Sequence, residues 1–160
     1  RVRAAAGRAR GAGADGGFRM IGRDTLLGLV PHQGAMCLWD RVLDWDDTRI
    51  RLATATHRDP SHPLRGAQGL RAVHLCEYGA QAMAVHGGLR GRAVGLPVRP
   101  GMLVALRGIR LHVAYVDALE GDLIGEAEAV AEGADSQQYA FRILHGGQLL
   151  AEGRAAVMLG

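Results

Sequence analysis

Apolar and polar positions alternate along four stretches in the second half of the chain. In MLVALRGIRLHVAYV (102–116), Leu106, Ile109, Leu111, Val113 and Tyr115 keep a period of two over much of the run, as in a strand with one covered face. GDLIGEAEAVAEG (121–133), QQYAFRILHGG (137–147) and QLLAEGRAAVML (148–159) read the same way, and HGGQ at 145–148 is a two-glycine hairpin turn. Earlier, TRIRLATAT (48–56) is an imperfect alternation that follows a turn signal at Asp44–Thr48. A short helix is expected in TLLGLVP (25–31), stopped by Pro31, and residues 57–69 read as a loop of His, Asp, Pro and Gly.

The period changes once. From about residue 70 to 86 the chain is apolar almost all round, a long helix whose end is expected at Gly87-Gly88. The order is then one strand, one long helix and four strands. A curved antiparallel sheet wrapped around that helix would bury it from most sides, with Gly79, Ala80, Ala82 and Ala84 letting the sheet approach. The fold class expected is α+β.

Composition trims the options. A chain of 160 residues, 48% apolar, suits one domain with its own core. No apolar run is long enough to span a bilayer, and no apolar stretch follows the basic N-terminus as in a signal peptide, so a cytoplasmic protein is expected. All nineteen basic residues are arginine, and the positive charge is concentrated in residues 1–19, where five Arg face one Asp. That Ala/Gly/Arg-rich tail is expected to be a disordered or upstream extension, with residues 20–160 forming the domain. It has no aromatic platform, which argues against nucleic acid as the partner. Cys37 and Cys76 have no metal-ligand spacing and are expected as buried thiols.

Candidate chemistry sits in HPLRGAQGLRAVHLCEYGAQAMAVHGG (62–88). Glu77 is the one carboxylate in the helix, on a seam with His74 and Gln81 and with Tyr78 beside it. A solvated face would carry several charges, so a partly buried acid is expected, with desolvation favouring its protonated form. Such a group is a general acid. His62 in the preceding loop is the natural base, reaching Glu77 by the loop folding back or across a dimer interface, and His57 is the alternative base. A metal site built from His57, His62, His74 and Glu77 lacks a compact ligand motif, and none is expected.

These residues carry a resemblance. HPLR…LRAVHLCEYGAQAMA resembles the hot-dog-fold 3-hydroxyacyl-acyl-carrier-protein dehydratases, with EYGAQ at the ExxAQ end of their helix motif. LVPHQGAMCLWDRV is similar to their opening segment, and the likeness covers most of 27–160. It looks closest to a divergent bacterial branch linked to polyene-type lipid pathways. The resemblance implies a hot-dog fold and a dimer with its site at the subunit interface. It implies that His62 of one protomer removes the α-proton of a 3-hydroxyacyl thioester, and that Glu77 of the other protonates the departing hydroxyl. Ala72 and Val73 at the helix start, with Gln81, would bind the thioester. The acyl chain would arrive on the phosphopantetheine arm of an acyl carrier protein or coenzyme A, with no other cofactor, in fatty-acid or polyene-type lipid synthesis.

Arg65 and Arg71, with Arg90, are candidates for steering an acidic carrier, although surface arginines are common in so Arg-rich a chain. His32 is expected to brace its loop, His86 to cap the end of the helix, and His112 and His145 to be ordinary strand residues. Two other readings remain on the same fold. One is an acyl thioesterase. The other is a non-catalytic acyl-binding or partner subunit of a hot-dog heterodimer, which would go with Ala72 standing where the family has glycine.

Overall fold

Six strands pair in the order β1-β2-β4-β5-β6-β3, every pair antiparallel. They are β1 (Arg41–Trp45), β2 (Arg49–Thr54), β3 (Gly101–Leu111), β4 (Leu123–Glu132), β5 (Ser136–His145) and β6 (Gln148–Leu159). A short helix α1 (Arg23–Leu27) precedes them, and the long helix α2 (Leu75–Ala93) lies between β2 and β3. This computed structural model describes residues 20–160, so the expectation for the 1–19 tail lies outside the described residues. The architecture is the α+β hot-dog fold, with the sheet packed around α2.

The turns follow local chemistry. Asp46 Oδ1 accepts from the backbone N–H groups of Thr48 (2.8 Å) and Arg49 (3.0 Å), closing the β1–β2 hairpin. Gly146 and Gly147 hold φ of 55° and 78°, the left-handed pair that a tight β5–β6 turn demands. On the outer face one row of the sheet alternates in sign across all six strands: Asp44, Arg51, Glu126, Arg142, Glu152 and Arg110. Neighbours in the row form ion pairs, Arg51–Asp44 and Arg142–Glu126 each at 3.4 Å.

On the inner face α2 packs against β2, β4, β5 and β6. Tyr78, Tyr139, Phe141 and Trp39 are among the largest fully buried side chains. Gly79 has a steric reason: a Cβ there would lie 2.6 Å from the Phe141 ring. Of the other small residues, Ala82 is buried, Ala80 lines an open groove, and Ala84 both packs against the core and lines that groove.

Three expectations need correction. The helix does not stop at Gly87-Gly88; it runs on to Ala93, and the left-handed residue past its end is Gly95 at φ 73°. Gly88 lies inside because Leu29 packs where its side chain would be, with a Cβ there 3.0 Å from Leu29 Cδ2. His86 is accordingly no cap. It is fully buried, donates from Nε2 to the Asp46 carbonyl (2.7 Å) and accepts at Nδ1 from Tyr139 Oη (2.6 Å), pinning α2 between the first hairpin and β5. The region before α2 also holds two strands rather than one. β1 escapes the pattern because Val42 is its one fully buried position.

The sheet's two edges differ. β1 is partly covered by a bridge from Ile21 to Val42. β3 has no neighbour beyond β6 among the described residues, and its apolar side chains stand in solvent, Met102 67% and Val104 50% exposed.

Candidate active site

Glu77 projects from the first turn of α2, and the side chain one turn on holds it. Gln81, 1% exposed, accepts at Oε1 from the Leu38 N–H (2.9 Å) and donates from Nε2 to the Met36 carbonyl (2.7 Å). Those two bonds fix which way round the amide lies. Its remaining N–H donates to Glu77 Oε1 at 3.2 Å. Gln81, expected to bind substrate, is thus committed inside the chain: it ties the lead-in to β1 onto α2 and orients the acid.

The imidazole beside Glu77 is His32. Its Nε2 lies 3.1 Å from Glu77 Oε1, and the two side chains keep 33% and 31% of their exposure. The desolvation expected of an acid in a buried helix is therefore only partial. Sequence chemistry brings His32 there. Gln33 Nε2 donates to the carbonyls of Leu27 (2.8 Å) and Val30 (3.3 Å), satisfying the end of α1, and Gly34 at φ 57° turns the chain back. Arg23 then holds the Gly34 carbonyl (2.9 Å), and Trp39 Nε1 donates to the Tyr78 carbonyl (2.8 Å), docking this segment on α2. His32 stands in the LVPHQGAM segment, and its place beside Glu77 follows from Gln81 grasping Met36 and Leu38, a contact that no local spacing announces.

His62 is not the partner of Glu77 within the chain. It is 5% exposed, and its ring lies 6.0 Å from that of Tyr78, close to parallel. Nδ1 accepts from the Leu64 N–H (3.1 Å), which leaves the proton on Nε2, donated to Tyr78 Oη (2.9 Å). Tyr78 passes the chain on to Thr56 Oγ1 (2.9 Å), which donates to the Leu38 carbonyl (2.7 Å). So held, His62 has no free lone pair with which to take a proton. Burial pushes its pKa below the ordinary value, with Asp59 opposing and His74 adding to the fall. Burial likewise pushes the Tyr78 phenol up to about 12.

The remaining candidates fall in several places. His57 is fully buried and donates from Nε2 to the Leu119 carbonyl (2.8 Å); its Nδ1 has no partner among the described residues, and burial lowers its pKa. The Ala72 N–H, expected to polarise the thioester carbonyl, is already donated to the Ala114 carbonyl (2.9 Å). Val73 stands half exposed in the same turn, Ala72–His74. Arg65 is paired with Asp117 (3.3 Å) and Arg90 with Glu132, which leaves Arg71 as the exposed arginine of that group with no ion pair among the described residues. Cys37 and Cys76 are buried thiols whose pKa burial raises. No cluster of three metal-ligating side chains occurs among the described residues.

Glu77 and His32 sit in the wall of a groove of about 690 Å³ that runs along α2. Beyond Glu77 the helix presents Ala80, Ala84, Gly87, Gly88 and Gly91 to it, with Met83 among them, mostly small side chains for about 17 Å at the helical rise. The facing wall includes Pro97, Met102, Leu103, Val157 and Leu159. Arg90 and Glu132 also line it. An apolar trough with a hydrogen-bonded acid in its wall suits a ligand with a long apolar part and one reactive polar group.

A family model described as ApeP-like, ApeP dehydratase, matches residues 25–159. No curated protein sequence matches the chain. Among solved structures, the chain is similar to the dehydratase heterocomplex ApeI:P from Xenorhabdus doucetiae. The TM-score is 0.76 and the identity 22%, over 84% of this chain and 90% of that one. It is also similar to zebra fish thioesterase superfamily member 2, at TM-score 0.58 and 16% identity over 86% and 94% of the two chains. A mutant of a thioesterase enzyme from Staphylococcus aureus is a third neighbour, at TM-score 0.51 and 14% identity over 74% and 90%. At such identities these three likenesses speak to the fold alone.

Proposed function

The chain belongs to the ApeP-like dehydratase family, and on that premise we propose that it removes water from a 3-hydroxyacyl thioester to give the trans-2-enoyl thioester. The observation that carries this reading is Glu77, oriented by Gln81 and His32, in the wall of an apolar groove that continues along α2. The acyl tail lies along the small-residue face of the helix and the reacting carbons lie at Glu77. A base of the site takes a proton from the α-carbon, made acidic by the adjacent thioester carbonyl, and the electron pair left behind forms the new double bond as the bond from the β-carbon to oxygen breaks. Glu77 supplies the proton that turns the departing hydroxyl into water. The chemistry needs no further cofactor when the acyl group comes on the phosphopantetheine of an acyl carrier protein or coenzyme A. Arg71 remains a contact for such an acidic carrier, in fatty-acid or polyene-type lipid synthesis.

The open apolar edge of β3 supports pairing with a second hot-dog chain. A copy of this chain and a different hot-dog chain would both satisfy that edge, and the solved neighbour named above is a heterocomplex. The test is dehydration of a 3-hydroxyacyl thioester on acyl carrier protein, read as loss of one water by mass. Wild type converts it, and folded Glu77→Gln loses at least ~100-fold in rate. Wild type that stays inert across chain lengths returns the chain to an acyl-binding partner subunit. Release of free thiol without an enoyl product identifies a thioesterase.

A further inference from the structure

We propose that His32 and Glu77 form the whole acid–base unit of this chain, with Glu77 as the single proton carrier and His32 as its positioning residue; the inference rests on the dehydratase reading above. Two nitrogens face the same carboxylate oxygen, Oε1: Gln81 Nε2 donates to it at 3.2 Å, and His32 Nε2 lies 3.1 Å from it, at ion-pair distance. Oε2 takes no hydrogen bond among the described residues and is not among their buried unpartnered atoms. One oxygen is therefore held and the other left free for substrate. His32 does not itself meet substrate through its far nitrogen, because Nδ1 is buried. With His62 locked as a donor to Tyr78, His32 is the one imidazole at ion-pair distance from Glu77 among the described residues.

The step balances on one carboxylate. Glu77 Oε2, ionised at the outset, takes the α-proton, and the electron pair left on the α-carbon is held by the thioester carbonyl. The same proton passes to the β-hydroxyl on the same face as the bond from the β-carbon to oxygen breaks and the double bond forms. Water leaves and Glu77 is again a carboxylate. Throughout, the Gln81 donor and the neighbouring His32 ring keep Oε1 turned away from the substrate. A carboxylate with one oxygen bonded by Gln81 and flanked by the His32 ring is restricted in χ3, which keeps Oε2 in one place.

The experiment has two readouts on the full-length chain. In ¹⁵N-histidine NMR, with signals assigned through His32→Gln and His62→Gln, Glu77→Gln shifts the ring nitrogens of His32 and leaves those of His62 in place. That readout needs no turnover, so it stands even if the thioester substrate is wrong. In the dehydration assay, His32→Leu lowers kcat by ~100-fold with KM changed less than ~3-fold, and His32→Gln, which keeps a side-chain N–H, restores most of it. Folded His62→Gln, which keeps a donor toward Tyr78, stays within ~5-fold of wild type. The proposal is overturned if His62→Gln loses activity while His32→Leu keeps it, or if Glu77→Gln shifts His62 and not His32.

Discussion

At the scale of single residues, the buried histidines matter as much as the acid. His57, His62 and His86 are each 5% exposed or less, and for each burial is the first cause of a lowered pKa. They fold neutral. Because their folded pKa lies below the ordinary 6.5, the unfolded chain binds more protons in the window beneath that value. Their contribution to stability is complete above pH 6.5 and drains away as pH falls toward the folded values. The urea midpoint is expected to drop between pH 7.5 and 5.5, before the paired carboxylates Asp117 and Glu132 titrate. His62→Gln should flatten that slope, since one of the three protonations is gone; an unchanged slope would mean that His62 is not buried neutral. Much of this was hidden in the sequence. Glu77 announced itself as a lone charge in an apolar helix, but a histidine's burial is set by its tertiary neighbours, and His62 reads the same whether it is a base or a donor to Tyr78.

At the scale of elements, α2 has two duties on two faces. One face packs on the sheet through Tyr78, Ala82, Val85 and Leu89, all buried. The other lines the groove. A larger side chain at Ala84, which packs against the core on one side and lines the groove on the other, extends into the groove. Ala84→Leu is therefore expected to fold with a Tm within a few degrees of wild type. It should lose activity on long acyl thioesters while keeping it on the shortest, which a chain-length series of kcat/KM would read directly. Equal losses at every length would place the acyl tail elsewhere. The strands of the second half are legible because their alternation runs long, and the helix because its apolar run is too long for a strand. The helix end was not, because glycine is a terminator only where the chain must turn, and Gly88 instead answers to Leu29 across the fold. β1 was lost for the opposite reason: in five residues it offers one buried position, too few to show a period.

At the scale of the whole molecule, the alternating row of charge on the outer face needs no partner until it reaches Arg110 on β3, where the sheet ends. The same strand supplies Met102 and Leu103 to the groove wall. The edge left open for another chain and the wall along which the acyl tail would lie are thus one piece of backbone. Assembly and ligand occupancy then share a free energy, and thermodynamics makes the sharing mutual. If closing the edge tightens the acyl thioester by some factor, the thioester must tighten assembly by that same factor. Dissociation constants for the assembled species, measured by sedimentation with and without a non-reactive acyl thioester, should differ accordingly. A chain of this build would gather itself where its substrate is plentiful and disperse where it is scarce.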